Sequence, residues 1–97
     1  MRRVVKIPFP TDPLAQDAAS FGAAIRAART AGGMTIADAA LLLGVSKQTL
    51  ADLETAKASV GLATALKVAS AFGVGILAVA PEERELVRRH ILSERAS

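Results

Sequence analysis

The 97-residue chain contains no cysteine and only one histidine. Without cysteine there are no disulfides and no thiolate metal sites, which is compatible with a reducing cytosol. His90 has no acidic cluster at ligand spacing, so it reads as a tail residue and not as a metal ligand or general base. Aromatic side chains are nearly as scarce. Phe9, Phe21 and Phe72 lie at apolar helical positions or beside prolines, which makes them core residues rather than platforms for stacked bases. The rest of the core must come from Ala, Leu, Val and Ile. No glycine-rich phosphate loop follows a strand, and no histidine stands in pattern with the scattered Ser and Thr. Catalysis, a metal and a cofactor therefore have no support, and the chain reads as a non-enzyme. It shows no internal repeat or low-complexity stretch, and its length allows one compact domain.

Apolar residues make up 52% of the sequence, and abundant Ala favours helix. The net charge of +3 is a modest push toward polyanions. Met1-Arg2-Arg3 is basic, but Pro8 and Pro10 interrupt before any apolar core forms, so no secretory leader is expected. The segment from Ala58 to Ala80 is long enough for a membrane span, yet Lys67 lies near its centre at an insertion cost of about 2.5–3.5 kcal/mol. Gly73 and Gly75 also divide it into a helix and a short run, so it reads as buried core, with no membrane partner.

The most informative stretch runs from Thr35 to Glu54. Ile36, Ala39, Ala40 and Leu43 recur at helical spacing and form one apolar face. Gly44 ends that helix in the left-handed conformation open to glycine, and Val45 plugs the corner. Ser46 caps a second helix that buries Leu50 and Leu53 and turns Lys47, Gln48, Thr49, Ala51 and Asp52 outward. Ala40 is small where the two helix axes come close. This is a helix-turn-helix pattern, and the outward side chains of its second helix are of the kind that read base edges. Gln48 suits adenine N6/N7 and Lys47 suits guanine O6/N7, while Asp52 is repelled by phosphate unless it accepts from a cytosine amine. An ordinary helical hairpin in a small bundle is the alternative reading.

Around this motif the chain divides into residues 1–11, 12–80 and 81–97. In the first part, Arg2, Arg3 and Lys6 make a basic extended arm. Its two readings are an arm touching phosphate or the minor groove, and an edge strand or disordered terminus. Asp12 and Pro13 signal a first helix running to about Ala31, with Leu14, Ala18, Phe21, Ile25 and Ala28 inward, Gly22 weakening its middle and Gly32-Gly33 ending it. Ser59 or Gly61 opens a fourth helix with Leu62, Leu66, Ala69 and Phe72 on one face. Residues 75–80 read as a strand without alternation, so both faces need cover. An unpaired edge of this kind invites association, and pairing with a second subunit would bury Ile76, Leu77 and Val79. Pro81 starts a charged last helix or tail, most simply solvated.

Ile25-Arg26-Ala27-Ala28-Arg29, Met34-Thr35, Leu43-Gly44-Val45-Ser46, Leu50, Leu53-Glu54, Lys57 and Leu62 together resemble the Cro/repressor-type (XRE) helix-turn-helix family, over about Phe21 to Phe72. Lys6-Ile7, the proline stretch and a strand after the fourth helix make the chain similar to HipB-type antitoxins of toxin–antitoxin operons. The resemblance implies that Glu54 pairs with Arg29 of the first helix. It places Lys47, Gln48 and Asp52 at base-reading positions, and Ser46, Thr49 and Lys57 at phosphate-contacting ones. It further implies a homodimer through the strand, a HipA-like kinase toxin as partner, and autoregulation of the operon. Three positions depart from the family pattern. Ile36 replaces a glutamine that bonds DNA phosphate, leaving Thr35 to supply that contact; Ala56 replaces a glycine, and Val60 a proline.

The expectation is thus an all-α, lambda-repressor-like domain of four to five helices with a short C-terminal dimerisation strand. It would be a cytoplasmic repressor of double-stranded operator DNA and the antitoxin of its operon. A stand-alone XRE-type regulator is one alternative. A helix-turn-helix used only for protein interaction, as Ile36 hints, is the other.

Overall fold

The computed structural model describes residues 3–97; Met1 and Arg2, the latter named above as part of the basic arm, lie outside them. Five α-helices follow in order: α1 (Ala18–Ala31), α2 (Ile36–Leu43), α3 (Lys47–Thr55), α4 (Leu62–Ala71) and α5 (Arg84–Ala96), the last preceded by a 3-10 turn at Pro81–Glu83. Among the described residues there is no strand. Residues 75–80, expected to form one, carry neither helix nor ladder. The physical reason is that a strand exists only by pairing, and none of the described residues forms a ladder with this segment. Residues 3–10 likewise carry no regular element. The Ile7 N–H ties them to α1 by donating to Thr30 Oγ1 at 3.0 Å.

Helix α1 begins at Ala18, not at Pro13. Its cap is Asp17, whose carboxylate accepts from the Ser20 N–H at 2.7 Å and from the Ser20 hydroxyl. Those bonds hold the Asp17 carboxyl below the usual carboxylate range, the hydroxyl first and the backbone N–H second. Asp12 instead closes a local turn, accepting from the Leu14 N–H at 2.9 Å. Ala18 is accordingly exposed at the helix start, while Ala24, Ile25 and Ala27 are buried.

Ile25, Leu50 and Val68 are the largest fully buried side chains, one each from α1, α3 and α4. Each such burial stabilises by about 1.5–3 kcal/mol. Ala39, Ala40 and Leu43 of α2 complete the cluster, with Phe21, Met34, Ile36, Val45 and Phe72 packed at its margin. The buried face of α4 is Ala65, Val68 and Ala69, whereas Leu62 is 72% and Leu66 40% exposed. Of the expected face, Ala69 and Phe72 meet the core and Leu62 and Leu66 do not. Ala65, Val68 and Ala69 join the core cluster, and Phe72 packs against it from the end of the helix. No helix is long and apolar enough to cross a membrane.

Helix α5 has no buried residue. Arginines strap it to the segment ahead of α1. Arg84 Nη2 donates to Gln16 Oε1 at 2.8 Å, Arg88 Nε to Asp12 Oδ1 at 3.0 Å, and Arg95 Nη1 to the Thr11 carbonyl at 2.9 Å. Arg88 also pairs with Glu85. The Arg88 guanidinium, with help from the Leu14 N–H, holds the Asp12 carboxyl below its usual range, and Asp12 in turn raises Arg88. Between α5, α1, residues 9–16 and residues 74–79 lies a groove of about 710 Å³, walled by Phe21, Ile76, Val79, Val87 and Ile91.

Candidate nucleic-acid interface

Each boundary of the α2–turn–α3 unit is held by an identifiable group. Thr35 caps α2, its Oγ1 accepting from the Asp38 N–H at 3.1 Å. Gly44 takes φ 70° and ψ 30°, and the Val45 N–H closes on the Ala40 carbonyl at 3.1 Å. This left-handed step lets the chain leave α2 and enter α3 within one turn. Ser46 caps α3, accepting from the Thr49 N–H at 2.9 Å, and its hydroxyl donates to Thr49 Oγ1 at 2.8 Å. Ser46 and Thr49 are therefore bound to one another at the start of α3.

Of the residues expected to read bases, Lys47 and Gln48 are exposed and Asp52 is half-buried, all on α3. Gln48 Nε2 donates to Asp52 Oδ1 at 2.8 Å across one turn. Ser46 is exposed at the α3 start beside half-buried Thr49, and Lys57 is exposed just past its end. Thr35 is half-buried. Ile36, where the family pattern has a polar phosphate contact, packs against the hydrophobic core. The structure thus brings Ser46, Lys47, Gln48, Thr49 and Asp52 onto one short helix. Ile76 and Leu77 are 55% and 70% exposed, and Val79 is half-buried, all in the segment after α4.

Helix α3 is fixed to α1 by charge. Arg29 Nε donates to Glu54 Oε2 at 2.7 Å and Nη2 to Oε1 at 2.9 Å, with the Arg29 and Glu54 side chains 10% and 3% exposed. The third guanidinium nitrogen donates to the Met34 carbonyl at 2.7 Å. A bidentate pair with its remaining donor satisfied is the geometry in which a buried ion pair is tolerated. Gly22, half a helix away, makes the second fastening. A Cβ there would stand 2.2 Å from the Leu53 carbonyl oxygen, so only glycine lets α1 lie against the end of α3. Sequence reasoning missed this contact, because glycine in a helix signals a close neighbour without saying which. It missed the Arg88–Asp12 strap as well, since no local pattern joins residues 76 apart.

The loop after α3 keeps the shape of a glycine turn without the glycine. Ala56 adopts φ 58° and ψ 29°, the sole non-glycine at positive φ among the described residues. No group of residues among those described is arranged to hold a metal ion.

The helix-turn-helix family model matches residues 25–78, from the second half of α1 through the segment after α4. No curated protein and no solved structure matches the chain at a significant level. With more than half of its length matched, and with the capped α2–turn–α3 unit at the centre of the match, the chain belongs to the XRE-type helix-turn-helix family of DNA-binding regulators.

Proposed function

We propose that this protein is a sequence-specific transcriptional repressor that places α3 in the major groove of operator DNA. The observation that carries the reading is the row of exposed Lys47 and Gln48 and half-buried Asp52 on a helix clamped to its scaffold by Arg29 and Glu54. A helix held this rigidly can present side chains to base edges in one register. Gln48 and Lys47 face bases, while Ser46, Thr49, Lys57 and Thr35 supply phosphate contacts that set position rather than sequence. Two such helices, roughly 34 Å apart, would engage a palindromic operator as a homodimer.

The dimer contact is assigned to the segment after α4. Ile76 and Leu77 are exposed, the segment has no ladder within its own chain, and pairing with its twin would satisfy the backbone and cover both side chains. The narrower role of antitoxin, with a HipA-like kinase as partner, rests only on the resemblance of Lys6-Ile7, the proline stretch and this segment.

A mobility shift on the gene's own promoter tests the reading. The expected result is a retarded complex whose affinity falls with salt, with a shallower slope for Lys57→Ala and altered base preference for Gln48→Ala. Binding with no preference for any promoter sequence would sink it. Leu77→Pro, which removes a ladder donor, should sediment as a monomer and bind a full operator little better than a half-site.

A further inference from the structure

We infer that Asp52 does not read a base itself but selects adenine over guanine by occupying one hydrogen of the Gln48 amide. This rests on the DNA-reading role proposed for α3. Gln48 Nε2 donates to Asp52 Oδ1 at 2.8 Å, and each side chain has the other as its sole hydrogen-bond partner among the described residues. A carboxylate accepts and never donates, so the nitrogen of the amide, and not its oxygen, must face Asp52. Asp52 is half-buried and Gln48 exposed, so the acid stands behind the amide.

With one hydrogen held, Gln48 has left one N–H and the carbonyl oxygen. That set matches adenine, whose N7 accepts and whose N6 amine donates. Guanine presents two acceptors, N7 and O6, side by side. A free glutamine can turn both hydrogens of its nitrogen toward them. Gln48 held by Asp52 cannot, and its carbonyl oxygen would then oppose O6. The same contact explains how an acid is tolerated on a DNA-facing helix: its charge is partly satisfied by the amide while it is kept back from the phosphates.

The experiment measures affinity for operators carrying A or G at each purine position, using the full-length protein and its Asp52→Ala and Asp52→Asn variants. Wild type should prefer A by about tenfold or more at one position per half-site, the range of a good bidentate contact. Asp52→Ala should bring that ratio to about twofold or less, chiefly by tightening the G operator. Asp52→Asn retains an acceptor oxygen and should keep the adenine preference, which a merely structural role for the side chain would not require. Both variants lie on an outward helical position, and a thermal melt checks that each remains folded. If Asp52→Ala leaves the A-to-G ratio unchanged the inference falls, and a loss of preference for cytosine at a neighbouring pair would show that Asp52 reads a base directly. It falls too if Asp52→Asn relaxes the ratio as far as Ala does. A wild type without any base preference overturns the DNA reading and this inference together, so the two failures are told apart.

Discussion

Gly22 of α1 and Leu53 of α3 meet so closely that a Cβ on the glycine would lie 2.2 Å from the leucine's carbonyl oxygen. The neighbouring Glu54 carbonyl oxygen would be 2.6 Å from the same atom. The obstruction is backbone, so no rotamer change relieves it. The distance between α1 and the end of α3 is therefore set by the smallest residue available.

Gly22→Ala should destabilise the domain by about 3 kcal/mol or more, at the upper end of overpacking costs. This runs against the usual gain from replacing a mid-helix glycine by alanine. Urea denaturation measures it. A variant as stable as the parent would mean that α1 and α3 shift apart freely.

Breaking the Arg29–Glu54 pair from one side leaves a buried charge unpaired. Glu54→Ala should cost about 3–5 kcal/mol, and an apolar pair such as Arg29→Met with Glu54→Leu should recover much of that loss. A double-mutant cycle by denaturation reads the coupling directly. Single variants with losses that simply add would show that the two residues stand independently.

Ala56 holds a left-handed backbone at φ 58° without a glycine's freedom. Left-handed conformation costs an L-residue roughly 1–2 kcal/mol, and part of the gain from glycine is lost to its freer unfolded chain. Ala56→Gly should therefore stabilise by about 0.5–1 kcal/mol and raise Tm by a few degrees. A lower Tm would place the loop in some other conformation in solution.

The carboxyl groups of Asp12 and Asp17 are held below the ordinary aspartate value, Asp12 chiefly by Arg88 and Asp17 by Ser20. Their contributions are fully present above that value and are lost as pH falls through the depressed folded values. Acid titration followed by backbone NMR should thus move the resonances of α5 and of residues 10–16 together, with a midpoint below 3.8. Asp12→Asn should show those α5 shifts already at neutral pH. If α5 is indifferent to both changes, the Arg88–Asp12 contact does not hold it.

The helix-turn-helix was legible because its boundaries are local chemistry. Thr35, Gly44 and Ser46 each act on backbone groups within five residues, and the structure uses all three. The start of α1 was misread because Asp12-Pro13 carries the same local signal as a true helix start. Its carboxylate is engaged instead by the Leu14 N–H and by Arg88, 76 residues away. The face of α4 was read correctly at its C-terminal end and wrongly at its start, because helical spacing in an apolar segment fits more than one face. Ala69 and Phe72 meet the core as expected, but Ala65 and Val68 take the places expected for Leu62 and Leu66, which stay out. The strand was misread because an apolar run between Gly75 and Pro81 says nothing about whether a second segment lies beside it, and among the described residues no ladder forms there.

The strap between α5 and residues 10–16 has a consequence in time. It consists of exposed arginine contacts with no buried side chain on the helix, while Ile25, Leu50 and Val68 seal the body beneath. Local opening should therefore release α5 without disturbing that core. In deuterated water the amides of α5 would exchange early and as a group, and those of α1 and α3 only on global unfolding. The molecule then has two lifetimes: a brief one for the helix that covers the groove, and a long one for the clamp that aims α3.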